Sequence, residues 1–400
     1  MRILYLTHRL PYAANRGDRI RAHYVLRHLA ARHRVDLASF VHDDDEESHV
    51  DDLRGLVDSI AIARVRRVRQ ATRAAGALLG GAPLTHALLD AAGFRDQLAD
   101  IVQRRSPDVV LALCSGMARF ALESPLAPLP FVLDMVDVDS EKWMTLGQRS
   151  RVPKAWIYQR EAVLLRRFER RAADAAATTL VVNERERDSL SALGTSGSIA
   201  VVPNGVELSG FRPTTPPTED PRVVFCGVMN YEPNETAALW LANDVWPRVL
   251  RARPDAKLTL LGANPTRRVR RLGADNPSIE VTGSVPEVRP YLWQSAVSVA
   301  PLKVARGVQN KVLEAAAALL PSVVSTAVFE GLPSEVMPAC VRAESAEQFA
   351  NQIIRLLAMS PADRRALASR ATLEPLTWPR RLALLEGVLQ DAAGAQRRTA

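Results

Sequence analysis

Hydrophobic positions along the chain switch repeatedly between two periods. Short runs of branched and aliphatic residues at 2–7, 34–41, 58–65, 109–113, 131–136, 178–182 and 199–202 read as buried strands. Between them apolar residues recur at helical spacing. Ile20, Val25, Leu26 and Leu29 give a face to a helix over 18–31, and helical stretches follow at 84–105, interrupted near Gly93, and at 142–173. The alternation begins again near residue 223, with strands at 223–226, 257–261, 279–282, 297–301 and 323–325 and helices at 234–250 and 344–358. Strands that alternate with helices imply βαβ crossovers and parallel sheets, so the chain reads as α/β, with two doubly wound, Rossmann-like domains in series. The Pro- and Thr-rich run 213–221 has no periodicity and reads as a linker. The expected domains are 1–203 and 204–374. Residues 375–400 form a terminal helix in which Trp378, Leu382, Leu385 and Leu389 share a face, expected to pack back toward the first domain.

One βαβ unit concentrates the candidate chemistry. Residues 295–326 read as strand, turn, helix and strand, with Val312, Ala315, Ala316 and Leu319 at helical spacing from Val308 and Pro321 ending the helix. A ligand of such a unit sits beyond the carboxyl ends of its strands, where the helix begins. Arg306 and Gly307 lie there, and Lys311 and Glu314 follow on one side of the helix. Unpaired amides, the helix dipole, Lys303, Arg306 and Lys311 suit a diphosphate, while Glu314 can take a sugar diol. The alternative is that Lys311 and Glu314 are an ordinary i,i+3 surface ion pair and Gly307 only a turn residue. Gly17 stands between the first strand and first helix in the same way, and the loop 227–234, with Gly227 and Asn230, faces the same side as Gly307.

Composition narrows the classes of function. With 400 residues, 47% of them hydrophobic, the chain is long enough for two full cores. Three scattered cysteines in no metal-ligand spacing fit a reducing cytoplasm. The apolar start is too short for a signal peptide, and no run reaches the ~18 residues of a membrane span. A net charge of +8 favours anionic partners. The run 64–73 holds Arg64, Arg66, Arg67, Arg69 and Arg73 around Val65 and Val68; it reads either as a surface for anionic lipid or as a solvated basic face. Aromatics are 5% of the chain and none is interleaved with these arginines, which argues against nucleic acid. In the first half the acids at the end of the fifth strand, Asp134 and Asp137, are the candidate catalytic groups, whereas Asp139 or Ser140 reads as a helix cap.

Two such sheets, a PNGV hinge, GSV before a helix, LDMVDVDSEKW, and APL followed by G-x-x-x-K-x-x-E resemble the GT-B glycosyltransferases of family 4, closest to the sugar transferases of bacterial exopolysaccharide and exosortase-type systems. The resemblance implies a retaining, metal-free transfer, with no cofactor, from a nucleotide diphosphate sugar in the second domain to a glycan or polyprenyl-linked acceptor in the first. It also implies that Glu314 binds the ribose hydroxyls and that amides beside Gly307 meet the donor phosphates. Two departures stand out: Arg306 replaces the first Glu of the family's Glu-x7-Glu motif, and the usual Arg/Lys pair is absent from GVMNYEPN. Where many members carry a His after the fifth strand, Asp137 with Asp134 is the expected substitute. The implied location is the cytoplasm, with peripheral attachment to the inner face of the membrane. A nucleotide-sugar epimerase and a catalytically degenerate nucleotide-binding protein are the competing classes.

Overall fold

A computed structural model describes residues 1–13, 17–65, 76–78, 80–303 and 308–399. The chain divides into two compact units, Met1–Gly205 together with Trp378–Ala400, and Val206–Thr377. The run 213–221 belongs to the second unit and is strapped to it, since Arg364 Nη2 donates to Thr218 O at 2.7 Å and Arg365 Nη2 to Thr215 O at 3.0 Å.

The first unit is built on strands β1 (Arg2–Thr7), β2 (Arg34–Val41), β3 (Ser59–Arg64), β4 (Val109–Leu113), β5 (Phe131–Val136), β6 (Thr178–Val181) and β7 (Ile199–Val201). They pair in parallel in the order β3-β2-β1-β4-β5-β6-β7. Because side chains alternate across a strand, Leu4, Leu6 and Phe40 enter one core layer while Ile3, Tyr5 and Leu37 enter the other. The second layer is completed by Trp378 of the short helix Trp378–Arg381, by Leu382 just after it, and by Leu385 and Leu389 of the helix Ala383–Thr399. Trp378 stacks on Tyr24 at 4.6 Å. A Cβ on Gly205 would lie 2.4 Å from the Trp378 Cα, so the backbones cross where only glycine fits.

The second unit has β8 (Arg222–Cys226), β9 (Lys257–Leu261), β10 (Ile279–Gly283), β11 (Val297–Ala300), β12 (Ser322–Ser325) and β13 (Cys340–Ala343), again parallel, in the order β10-β9-β8-β11-β12-β13. In both sheets the strand order reverses beside the first strand of the unit, between β1 and β4 and between β8 and β11. Ligands of open parallel sheets bind at the carboxyl side of such a reversal.

Several elements differ from the sequence reading. The stretch 142–173 is two helices, Asp139–Arg149 and Lys154–Ala175, because Pro153 supplies no amide and disfavours helix in the residue before it. Gly93, at φ 78°, separates Leu84–Leu88 from Phe94–Arg105. The helix expected from Val308 starts only at Asn310 and ends at Ala317. β13 was not anticipated, since the four residues CVRA carry too little pattern to read as a strand. Among the described residues no helix is long and apolar enough to cross a membrane.

Candidate functional site

At the β8/β11 reversal the chain brings three segments together. The first is the loop after β8, which opens with Gly227. Gly262, after β9, has φ 146°, and a Cβ there would meet Gly227 O at 1.9 Å; a Cβ on Gly227 would lie 2.8 Å from Asn234 Cγ. Two glycines therefore let three chain segments touch, and they seat Asn234 in the first turn of the helix Glu232–Trp240. Asn234 is buried; its Nδ2 donates to Val228 O at 3.1 Å, leaving Oδ1 to accept from Lys311 Nζ at 2.9 Å. Lys311 Nζ also stands 4.7 Å from the centre of the Phe225 ring, a cation–π contact.

Lys311 and Glu314 occupy the first two turns of the helix Asn310–Ala317, both half-buried. Among the described residues no ion pair joins them, so the surface-pair alternative does not describe the site. Burial lowers the Lys311 ammonium to about 8, against the opposing pull of Cys226 and Glu314. Burial raises the Glu314 carboxyl, with Lys311 opposing. The Cys226 thiol beside them is pushed up to about 12, mainly by burial and then by Glu314. A cation and a carboxylate thus sit in partly desolvated surroundings that disfavour both charges, a pattern found where a ligand supplies the missing partners. Asn230, Val228 and Tyr231 are exposed on the loop above β8, and Val308 and Lys303 are exposed after β11. Arg306 and Gly307 lie outside the described residues.

The first unit closes its reversal differently. Arg21, in the helix Gly17–Ala30 that Gly17 opens, gives its Nε to both oxygens of Asp134, at 3.0 and 2.7 Å. Its Nη1 donates to Val202 O and Asn204 Oδ1, each at 2.9 Å. Asp134 is 0% exposed. With both oxygens held by a buried guanidinium it has no face left for a substrate, so its geometry is that of a structural ion pair and not of a catalytic acid. Asp137 is exposed just past the strand, and its carboxyl is raised by desolvation and then by Glu186. The expected pair therefore splits into a buried, ion-paired carboxylate and an exposed one.

Backbone strain marks the same edge. Val136, before Asp137, has φ 67°, a rare angle for a β-branched residue. Cys114, after β4, has φ 68° and ψ 162°, a region otherwise left to glycine. Its Sγ lies 3.6 Å from His8 Nδ1 at the end of β1, and Ser115 Oγ donates to Asp139 Oδ2 at 3.2 Å. The contact of His8 with Cys114 and that of Asn234 with Lys311 are not read from the sequence. A histidine after a strand and an asparagine after a glycine loop were the only signals, and each is common.

Comparison with known proteins places these features. Residues 220–359 match the family described as glycosyl transferases group 1, and residues 17–205 match the glycosyl transferase 4-like domain. No curated protein matches the sequence significantly. Among solved structures, the chain is similar to Anabaena Alr3699/HepE in complex with UDP (13% identity, 98% of this chain and 100% of that one, TM-score 0.62). It is also similar to sucrose-phosphate synthase from Thermosynechococcus elongatus (16%, 100% and 99%, 0.59) and to a putative UDP-N-acetylglucosamine 2-epimerase from Listeria monocytogenes (11%, 98% and 96%, 0.55). At these identities the likeness carries the fold, which transferases and an epimerase share. The two family matches fall one in each compact unit and together span most of the sequence: the chain belongs to the group 1 glycosyltransferases, built on two Rossmann-like domains of GT-B type.

Proposed function

We propose that the chain is a retaining hexosyltransferase that moves a sugar from a nucleoside diphosphate sugar, held in the second unit, to a glycan or polyprenyl-linked acceptor met by the first. The set formed by Lys311, Asn234 and Glu314 at the β8/β11 reversal carries this reading. A diphosphate beside Lys311 restores the charge partner that burial removed, and Glu314 as a carboxylate accepts two hydroxyl hydrogen bonds from a ribose. Lys303, and Arg306 by its place in the sequence, add positive charge. The diphosphate gains charge as it leaves, so these cations stabilise the departing group more than the bound donor. UDP in the structurally similar Anabaena protein favours a uridine nucleotide here. Asp137, exposed and with its carboxyl raised by desolvation and then by Glu186, is the group suited to polarise an acceptor hydroxyl.

The cell role that fits is exopolysaccharide synthesis at the cytoplasmic face of the membrane, with charge on the leaving group met by side chains and no divalent ion. Thermal unfolding in a panel of nucleoside diphosphates and their sugars tests the donor site: one nucleoside diphosphate raises the midpoint, and Glu314→Gln abolishes the rise. A panel without any shift overturns the reading. Incubation of the bound donor sugar without acceptor separates the classes, since an epimerase turns it over and a transferase leaves it intact.

A further inference from the structure

The helices Asp139–Arg149 and Lys154–Ala175 pack against each other as a hairpin in the first unit, joined by a four-residue turn. Of the nine large hydrophobic side chains exposed among the described residues, four lie within this hairpin: Leu146, Val152, Trp156 and Val163. Val152, in the turn, is 85% exposed and Trp156, in the first turn of the second helix, 59%. At 100° per residue Val163, Arg167 and Arg170 continue the outward face that Trp156 begins. Arg151 and Lys154 flank the tip and are exposed.

Two of the three acids of the second helix are turned inward. Glu161 is fully buried and accepts from Leu84 N, Thr85 N and Thr85 Oγ1; Glu169 is fully buried and accepts from Ser140 N. The acids that do face solvent, Glu141 and Asp174, sit at the base of the hairpin, away from the turn. The tip is therefore apolar at its point and cationic around and behind it. A second copy of the chain would bring like charges together across such a face, whereas a negatively charged lipid surface neutralises the cations while its interface takes the indole.

We propose that this hairpin tip is the membrane-contacting element of the protein, with Val152 and Trp156 entering the interface of an anionic bilayer and Arg151, Lys154, Arg167 and Arg170 facing its headgroups. The inference rests on the reading of a membrane-borne acceptor and assigns the surface that reaches it. Flotation with vesicles of phosphatidylglycerol and phosphatidylcholine tests it, with full-length protein and with the variant Val152→Ser/Trp156→Ser. Because both side chains are exposed, the unfolding midpoint should be unchanged, whereas partitioning should weaken about tenfold. Arg167→Gln/Arg170→Gln should weaken it about fivefold per charge and flatten its salt dependence. Phosphatidylcholine alone should bind poorly. Wild-type protein that ignores anionic vesicles overturns the membrane reading altogether. Wild type and both variants binding alike overturns the hairpin assignment alone. A dimer in sedimentation that the apolar variant dissolves, without vesicle binding, assigns the tip to a protein interface instead. The nucleotide-induced thermal shift, run in parallel, separates each of these failures from failure of the donor site.

Discussion

The carboxyl edges of the two sheets have the same topology and opposite electrostatics. In the first unit the central charges are spent internally: Arg21 on Asp134, and both Arg9 and Arg19 on the buried Glu46. In the second, Lys311 and Glu314 are half-buried, lack a mutual ion pair among the described residues, and are each shifted by burial toward the neutral form. Paired charge over-determines a structure, and unpaired charge in a desolvated place waits for a ligand. The first edge is thus a built floor beneath exposed groups such as Asp137, and the second leaves its two charges without a mutual partner, as the proposed donor site requires.

The largest expected effect comes from breaking the floor. Arg21→Ala leaves Asp134 buried and unpaired, and the first unit should lose about 3–5 kcal/mol, read as an earlier unfolding transition in denaturant. If stability holds while activity disappears, Asp134 and Arg21 are catalytic after all and the contrast between the edges fails. Next, Glu314→Gln should weaken nucleoside diphosphate binding about tenfold or more by calorimetry, with no change in unfolding of the nucleotide-free protein. Lys311→Met should lower turnover more than donor affinity; equal losses would make the cation a binding group only.

A subtler effect is a proton count. With the Lys311 ammonium lowered to about 8, the unfolded chain binds more protons than the folded one between there and the ordinary lysine value. This group therefore adds stability as pH rises through that window. A bound diphosphate pulls the value back up, so binding near pH ~8.5 should take up a proton, seen as a dependence of binding heat on buffer ionisation heat. Proton release, or none, would mean that the diphosphate does not meet Lys311. The smallest expected effect is that of a chelator, which should leave turnover unchanged.

The sequence made the alternation of strands and helices plain, because Leu4 and Phe40 or Ile3 and Leu37 sort to opposite faces at a period of two, and a buried parallel strand leaves an uninterrupted apolar run. Glu314 and Lys311 were legible from their spacing behind a strand and turn. Their surroundings were not. Asn234 reaches Lys311 across 77 positions of sequence, and nothing local marks it as a partner. For the same reason Asp134 and Asp137 looked equivalent as two acids at one strand end. They are distinguished by Arg21, 113 residues away, which takes the first and leaves the second. The five arginines of 64–73 show the limit from the other side. Of them only Arg64 is described, and it pairs with Asp44 and Glu47, so its charge is already answered on the protein surface.

The return of Trp378, Leu382, Leu385 and Leu389 into the first unit has a consequence for how the chain is made. The second unit, Val206–Thr377, is continuous in sequence and has all its strands once Thr377 has been synthesised. The first unit is discontinuous, and one layer of its core lacks its aromatic and leucine face until the segment made after the second unit arrives. On the ribosome this arrangement should invert the usual order of N-terminal before C-terminal completion. A nascent chain arrested before Trp378 should carry a protease-resistant second unit beside a first unit whose inner layer, Ile3 and Tyr5 included, is still open to chaperones.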